Sequence, residues 1–309
     1  AGPLYHAAPL AFGTGAMHLG QTAILMDKWT PQRTLELIEK YKITTSHMVP
    51  TMFHRMLALP EDVKNSYDLS SLITVIHAAA PCPIDVKQRM IEWWGPKIYE
   101  YYAATEGGGS MVKPLEWLEH PGTVGRAWPG SELKILDDDG NECPPNEPGT
   151  VYMGTMIGDF EYFKDKEKTQ SNRRGNLFTV GDIGYLDDEG WLFLCDRKVD
   201  MIISGGVNIY PAEVEAVLLT HPKVGDAAVL GVPNTEWGEE VKAVIEPAVD
   251  VKASDELAEE LMAFCKERLA TFKLPRSIDF RDQLPRLDTG KLYKRLLRAE
   301  YWAGHEKKI

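Results

Sequence analysis

Apolar positions along the first part of the chain follow a helical period and then a strand period. The segment "QRTLELIEKY" places Leu35, Ile38 and Tyr41 on one helical face, and the strand-like run "ITTSHMV" follows it. The same succession recurs in "VKQRMIEWWG" and "KIYEYY". Because helices alternate with strands, we expect an α/β layer over residues 1–121.

Two further changes of pattern divide the remaining sequence. Over residues 122–197, short strand-like runs are joined by turns rich in Asp, Gly and Pro, which predicts a small antiparallel β unit. Residues 198–309 again mix helices and strands. The predicted fold class is therefore α/β plus α+β, with a large domain over 1–197 and a small α+β domain over 198–309.

Local signals define two helices of the small domain. Pro211 suits the first position of one helix, and Ser254 suits the N-cap of another. In the second helix apolar residues recur at every fourth position and predict a buried face: Leu257, Leu261, Cys265 and Leu269.

The first 26 residues contain no Asp, Glu, Lys or Arg. Several Pro and Gly residues interrupt this apolar stretch and no basic segment precedes it, which argues against a signal peptide or a transmembrane helix. We therefore expect a buried segment of a globular domain. The chain also begins without Met and in the middle of a pattern, so we expect that sequence upstream is absent.

Composition limits the classes of function. The net charge of −12 does not favour nucleic-acid binding, and any phosphate site must be a local one. Four widely spaced cysteines signal neither a disulfide framework nor a zinc site, so we expect reduced thiols and a cytoplasmic protein. Peripheral membrane contact stays an open alternative, and the sequence does not indicate an oligomeric state.

The segment "YYAATEGGG", residues 101–109, is the first candidate site. The Thr105 hydroxyl can donate to a phosphate oxygen, the Glu106 carboxylate can hold Mg²⁺, and the glycines allow backbone N–H groups to approach an anion. An ordinary turn after a strand explains the same residues equally well.

Further candidates lie downstream, and each has a structural alternative. Asp182 could accept both hydroxyls of a ribose or could occupy a turn, and Arg197 could pair with ligand oxygens or a strand end. Gly205 and Gly206 could admit a narrow ligand or form a turn. Lys291, which we expect at the start of a basic helix, could be a solvated surface lysine.

Seven segments in order resemble the later core motifs of the adenylate-forming superfamily: "PLYH", "HAAAP", "YYAATEGG", "GTVGR", "FTVGDIG", "DRKVDMIISGGVNIYPAEVE" and "PRLDTGK". The superfamily contains acyl-CoA synthetases, luciferases and peptide-synthetase adenylation domains, and the chain is most similar to the fatty-acyl-CoA synthetases. The resemblance implies that a carboxylate attacks the α-phosphate of MgATP to give acyl-AMP. The thiol of coenzyme A then displaces AMP.

The resemblance also implies residue roles in the nucleotide site. Tyr102 matches the aromatic residue that stacks on adenine, and Thr105 matches the contact to the α-phosphate. Glu106 matches the Mg²⁺ ligand, Asp182 the acid that binds ribose, and Arg197 the arginine that follows it.

The remaining roles concern the acyl group and the second half of the reaction. Lys291 matches the lysine that bridges the carboxylate and the α-phosphate, and His6 matches a histidine near the acyl and thioester path. Ala79 and Ala80 match backbone that lines the adenine and acyl pocket. In the family the small domain rotates and presents the segment that matches Gly205 and Gly206 to coenzyme A.

The sequence departs from the family pattern in three places. The Ser/Thr/Gly-rich phosphate loop expected upstream of "PLYH" is not in this sequence, so the resemblance predicts a truncated synthetase with little adenylation activity alone. Val199 stands where relatives carry a polar hinge residue, and Val180 stands where Thr is common. A ligase for a hydrophobic carboxylic acid is the leading hypothesis. The alternatives are a noncatalytic fragment that binds adenine nucleotides and an adenylate-forming enzyme that uses another acceptor.

Overall fold

The chain forms two compact units, each described here by itself. The computed structural model describes residues 2, 4–154, 160–287 and 291–304. The first unit consists of the described residues of Ala1–Val180 and Gly184–Leu194. The second contains Gly181–Ile183 and Cys195–Leu287, together with the described part of Lys291–Ile309.

Helices flank two sheets in the first unit. The helices are α1 (Ala7–His18), α2 (Pro31–Tyr41), α3 (Pro50–Leu57), α4 (Glu61–Lys64), α5 (Ile84–Trp94), α6 (Pro114–Glu119) and α7 (Lys166–Ser171). The strands of the first sheet are β1 (Thr45–Met48), β2 (Thr74–His77), β3 (Ile98–Ala104), β4 (Gly107–Val112) and β5 (Arg126–Ala127), in that spatial order. Strands β1, β2 and β3 are parallel, so their carboxyl ends meet at one edge. This edge is where open α/β sheets place ligands.

The first sheet packs against helices through a dense apolar core. Phe53 and Met56 of α3 are fully buried, and so are Met90 of α5 and Ile98 of β3. Helix α2 begins after Thr30, whose side chain accepts a hydrogen bond from the backbone N–H of Arg33 and so caps the helix. The core therefore fixes β2 and β3 from the helix side.

A second sheet follows along the chain. Its strands are β6 (Glu132–Leu136), β7 (Gly149–Gly154), β8 (Arg173–Arg174), β9 (Leu177–Phe178), β10 (Asp182–Leu186) and β11 (Leu192–Arg197). The order is β11-β10-β7-β9-β8, and β6 pairs antiparallel with β7. The chain passes from one unit to the other within β10, after Ile183, and again within β11, after Leu194.

The second unit is a mixed sheet with helices on both faces. Its elements are β12 (Ile202–Ser204), β13 (Val207–Ile209), α8 (Pro211–Leu218), β14 (Val224–Asn234), β15 (Gly238–Pro247), α9 (Asp255–Lys266), β16 (Ser277–Phe280) and α10 (Lys294–Tyr301). The order is β13-β12-β15-β14, and β16 pairs parallel with β15. Helices α8 and α9 join one apolar cluster, and Leu297 of α10 joins another. The predicted class, α/β plus α+β, is confirmed.

The prediction that the first 26 residues are buried is wrong for the residues that the structure describes. Helix α1 has no buried residue, and Leu10, Met17 and Leu19 are 48%, 71% and 77% exposed. Apolar composition alone does not place a segment inside a core, because burial also requires a partner surface. Within the described residues, no helix has both the length and the apolar character needed to cross a membrane.

Three local predictions also need correction. Tyr41, predicted on the same helical face as Leu35 and Ile38, is 48% exposed at the last residue of α2, whereas the other two are buried. Helix α9 is capped by Ser254 as predicted, but it ends at Lys266, so Leu269 packs from the following loop. Lys291 precedes α10, which begins at Lys294. Pro211 does open α8, as predicted.

Candidate active site

The turn between β3 and β4 carries three of the predicted nucleotide-site residues. Tyr102 lies on β3 and is half-buried against the apolar cluster around Val124. Thr105 is exposed in the turn, where its hydroxyl is accessible to a ligand. Glu106 is partly buried, and its Oε1 accepts a hydrogen bond from the Tyr162 hydroxyl at 2.7 Å. The turn therefore presents a hydroxyl and a carboxylate next to an aromatic ring.

Tyr162 is a contact of this turn that the sequence did not predict. It lies 56 residues from Glu106, in an aromatic run that gives no local signal of such a pairing. Burial raises the pKa of Tyr162, and the hydrogen bond to Glu106 raises it further. Tyr162 therefore stays a neutral donor that orients the carboxylate.

Packing accounts for two of the glycines in "YYAATEGGG". A Cβ on Gly108 would lie 2.9 Å from the Met153 Cβ, and one on Gly109 would lie 2.3 Å from the Tyr102 carbonyl oxygen. Both residues also have positive φ angles, of 67° and 153°. The Gly109 N–H donates to the Ser131 hydroxyl at 3.3 Å. These glycines are required by the close approach of strands, independently of any phosphate.

Ala79 and Ala80 lie in the loop after β2, beside the carboxyl end of β3. Ala79 is exposed and has a φ of 78°, a left-handed conformation that non-glycine residues seldom adopt. The motif "HAAAP" contains no glycine, so nothing in it signals this backbone geometry. Strained backbone of this kind concentrates at functional sites.

His6 is the residue immediately before α1. Its backbone carbonyl accepts from the Leu10 N–H at 3.0 Å, and its ring lies 4.6 Å from the Tyr5 ring. Pro3 of the "PLYH" motif lies outside the described residues, so the motif is described only from Leu4 onward. His6, Ala79, Ala80 and the β3–β4 turn all belong to the first unit.

The second unit brings together Asp182, Arg197 and Lys291. Asp182 is buried at the start of β10, and its Oδ1 lies 3.3 Å from the Arg197 Nε. Burial lowers the pKa of Lys291, the charge of Arg197 lowers it further, and the charges of Asp182 and Asp200 oppose this effect. Residues 288–290 of the "PRLDTGK" motif lie outside the described residues. The three predicted side chains thus form one electrostatic group despite their separation in sequence.

The predicted hinge and the glycine pair lie nearby in the same unit. Val199 is 66% exposed, and its carbonyl accepts a hydrogen bond from the Arg298 guanidinium. Gly205 and Gly206 form the turn between β12 and β13, with φ angles of 57° and 82°. The Gly205 N–H donates to the Trp237 carbonyl at 2.9 Å. A turn is therefore the local structure of this pair.

A Mg²⁺ site built from protein side chains alone is not found among the described residues, where no group of three or more His, Cys, Asp and Glu side chains is arranged around a metal position. Mg²⁺ in nucleotide sites is typically held by one or two carboxylates, with waters and substrate phosphates as its other ligands. A single oriented carboxylate at Glu106 fits that requirement.

Comparison with known proteins decides the family. A family model described as "AMP-binding enzyme" matches residues 1–157, and one described as "AMP-binding enzyme C-terminal domain" matches residues 213–291. The chain belongs to the adenylate-forming AMP-binding enzymes. This confirms the resemblance read from the motifs.

The relatives of this adenylate-forming chain differ in the acids that their names state. It is 36% identical over 307 residues to a long-chain-fatty-acid–CoA ligase of Bacillus subtilis, covering 98% of the chain and 54% of the ligase. It is also 36% identical over 304 residues to a feruloyl-CoA synthase of an Amycolatopsis species, covering 97% of the chain and 61% of the synthase. The chain thus spans little more than half the length of these relatives.

A solved structure supports the same fold. The ATP-bound protein MatB from Rhodopseudomonas palustris superposes with a TM-score of 0.84 at 28% identity, covering 97% of this chain and 59% of that protein. The adenylate-forming fold is therefore matched along nearly the whole chain.

Proposed function

We propose that this chain carries the nucleotide-binding and lysine-bearing part of an ATP-dependent acid–thiol ligase. The Asp182–Arg197 ion pair and its electrostatic interaction with Lys291 carry the proposal. Asp182 and Lys291 are 109 residues apart in sequence, yet the fold places them in one electrostatic environment. Lys291 and Arg197 provide local positive charge in a chain whose net charge is −12. Two anions can react there only if cations offset their repulsion.

In the first half of the proposed reaction, a carboxylate oxygen forms a bond to the α-phosphorus of ATP. The bond from that phosphorus to the bridging oxygen breaks, and pyrophosphate leaves. Lys291 donates hydrogen bonds to the carboxylate and the α-phosphate, Thr105 donates to the phosphate, and Asp182 accepts from the ribose hydroxyls. Mg²⁺ at Glu106 would neutralise phosphate charge when bound.

In the second half, the thiol of coenzyme A attacks the acyl carbonyl. A C–S bond forms, the bond to AMP breaks, and the thiol proton leaves to solvent. The roles of Gly205 and Gly206 on the pantetheine path and of Val199 as a hinge belong to this proposal. The proposal also includes the domain limits of 1–197 and 198–309. It further includes the stacking of adenine on Tyr102, the lining of the pocket by Ala79 and Ala80, and the position of His6 near the acyl path.

The proposed acid is hydrophobic, with a fatty acid as the first choice and a ring-bearing acid as the second. The names of the two relatives, a fatty-acid ligase and a feruloyl-CoA synthase, support both choices. We also propose a cytoplasmic location, which the free cysteines of the described chain support.

The test combines calorimetry of AMP binding with an assay of acyl-AMP and thioester formation over a panel of fatty and aryl acids. In a chain that forms acyl-AMP, Lys291→Ala should slow adenylation at least tenfold and transfer from preformed acyl-AMP to coenzyme A much less. Lys252→Ala, at an exposed position, is the matched control and should change neither step. Equal loss in both steps would refute the role of Lys291. AMP binding without any thioester would favour the noncatalytic alternative.

A further inference from the structure

A charged side-chain cluster is buried in the first unit, beneath the edge that carries the predicted nucleotide site. The Lys87 Nζ lies 2.6 Å from the Glu100 Oε2, and the His77 Nε2 lies 3.3 Å from the same oxygen. The Lys87 and His77 side chains are 0% exposed, and that of Glu100 is 6% exposed. The indole of Trp117 lies 4.6 Å from the Lys87 Nζ and closes the cluster on one side.

The charges in this cluster are fixed. Burial opposes ionisation of Glu100, but the charge of Lys87 and the polar contacts with Lys87 and His77 lower its pKa. Burial lowers the pKa of His77, which favours the neutral imidazole. A buried pair of this kind often contributes no more to stability than apolar side chains of the same volume. The global stability of the unit therefore does not explain why the pair is there.

The cluster joins the two strand ends that present the candidate site. His77 is the last residue of β2 and pairs with Glu100 of β3 in the parallel register. Ala79, two residues after His77, has the strained φ of 78°. Tyr102 lies two residues after Glu100 on the same strand. An unfavourable backbone conformation persists only where the surrounding structure holds it in place. The buried cluster is the part of the structure next to Ala79 that can do so.

We propose that Lys87, Glu100 and His77 are positioning residues that hold the end of β2 so that Ala79 keeps its left-handed backbone. The backbone of residues 79–80 is thereby presented to an adenine nucleotide beside Tyr102. The part of this proposal that concerns the nucleotide rests on the proposed function. The part that concerns Ala79 stands on the geometry of the first unit alone.

The first experiment separates positioning from stability. Lys87→Met leaves the Glu100 carboxylate buried without its cation, so it lowers both the thermal midpoint of unfolding and the affinity for AMP, the latter at least tenfold. The double variant Lys87→Met/Glu100→Met removes both charges and restores most of the midpoint, but the AMP affinity stays at least tenfold low. Lys64→Met is the control for loss of a buried lysine, because Lys64 is 8% exposed, pairs with the exposed Glu61 at 2.6 Å and donates to the Leu57 carbonyl at 3.4 Å. It lowers the midpoint without weakening AMP binding.

The second experiment tests the link to Ala79. Ala79→Gly relieves the strain, so it raises the thermal midpoint in the unmodified chain but not in the double variant, where the loop is free to relax. In the double variant, Ala79→Gly raises the affinity for AMP at least threefold, a larger increase than the same substitution causes in the unmodified chain. Recovery of both midpoint and affinity in the double variant without Ala79→Gly would overturn the proposal, as would equal effects of Ala79→Gly in both backgrounds. If the unmodified chain binds no AMP, the proposed function fails, while the two midpoints still decide the role of the cluster.

Discussion

His47 lies among aromatic rings near the end of β1. Its ring stacks on the Phe12 ring with centroids 4.9 Å apart, and the Tyr101 hydroxyl lies 3.4 Å from its Nε2. Burial lowers the pKa of His47 from 6.5 to about 4. The folded protein therefore holds this imidazole neutral at pH values where the unfolded chain protonates it.

This difference predicts a pH dependence of stability. Between pH 6.5 and 4 the unfolded chain binds more protons, so the free energy of unfolding falls as the pH falls, by up to about 3 kcal/mol from this group. His47→Phe keeps a ring in place and should remove that part of the slope. Urea unfolding at pH 7 and pH 5 measures it. Burial also lowers the pKa of His77, so a smaller slope remains in the variant.

His18→Gln is the matched control, because His18 is exposed at the end of α1. Its slope should equal that of the unmodified chain. A slope in His47→Phe as steep as that of the control would show that His47 is not the titrating group.

Residue types were predictable where chemistry is local, and less so where geometry is long-range. Thr105 and Glu106 could be read from a short motif because the turn that holds them is contiguous. The Tyr162–Glu106 hydrogen bond could not, since it joins residues far apart in the chain. The positive φ of Ala79 could not either, because an alanine does not signal a left-handed backbone in a sequence.

At the scale of elements, the β12–β13 hairpin shows how one glycine differs from the next. A Cβ on Gly205 would lie 2.6 Å from the Trp237 ring, whereas one on Gly206 would meet nothing within 4 Å. Both have positive φ angles, so both favour glycine for backbone reasons. Only Gly205 is also required by packing.

Two alanine variants separate these causes. Gly206→Ala should lower the free energy of unfolding by about 1–2 kcal/mol, the cost of a left-handed alanine. Gly205→Ala should cost about 1–3 kcal/mol more, because the added methyl overlaps the indole. Chemical denaturation of both variants measures the difference, and adding Trp237→Ala to Gly205→Ala should remove the excess. Equal costs for the two single variants would exclude a packing role for Trp237.

Elements with a cap and a periodic face were predictable, and those defined by their surroundings were not. Ser254 caps α9 because its side chain accepts a hydrogen bond from the Leu257 N–H. This interaction involves only four consecutive residues, so the local sequence predicts it. The apolar sequence of α1 instead led to a wrong prediction of burial. Periodicity locates a helix, but a second surface decides whether its apolar side is covered.

At the scale of the whole molecule, each unit contains its own apolar core. Phe53 is fully buried in the core beneath the first sheet, and Leu261 is fully buried against the sheet of the second unit. Among the residues that the structure describes, none belongs to both clusters. Core mutations should therefore act on separate unfolding transitions.

Scanning calorimetry tests this expectation. Phe53→Ala should lower the midpoint of the first unit's transition and reduce its free energy of unfolding by about 3–5 kcal/mol. Leu261→Ala should do the same for the second unit, by about 2–5 kcal/mol. Each variant serves as the control for the other. A single transition that both variants shift equally would show that the cores unfold together.

The long β14–β15 ladder has a consequence for the time scale on which the second unit opens. Its pairing runs from Val224 opposite Pro247 to Asn234 opposite Gly238. Successive side chains of the ladder alternate between two apolar clusters, one that includes α8 and α9 and one that includes α10. Amide protons in the middle of such a ladder reach solvent only when the surrounding layers separate. Deuterium uptake at Ala228 and Val244 should therefore be among the slowest in this unit, and its rate reports the free energy of opening the unit as a whole.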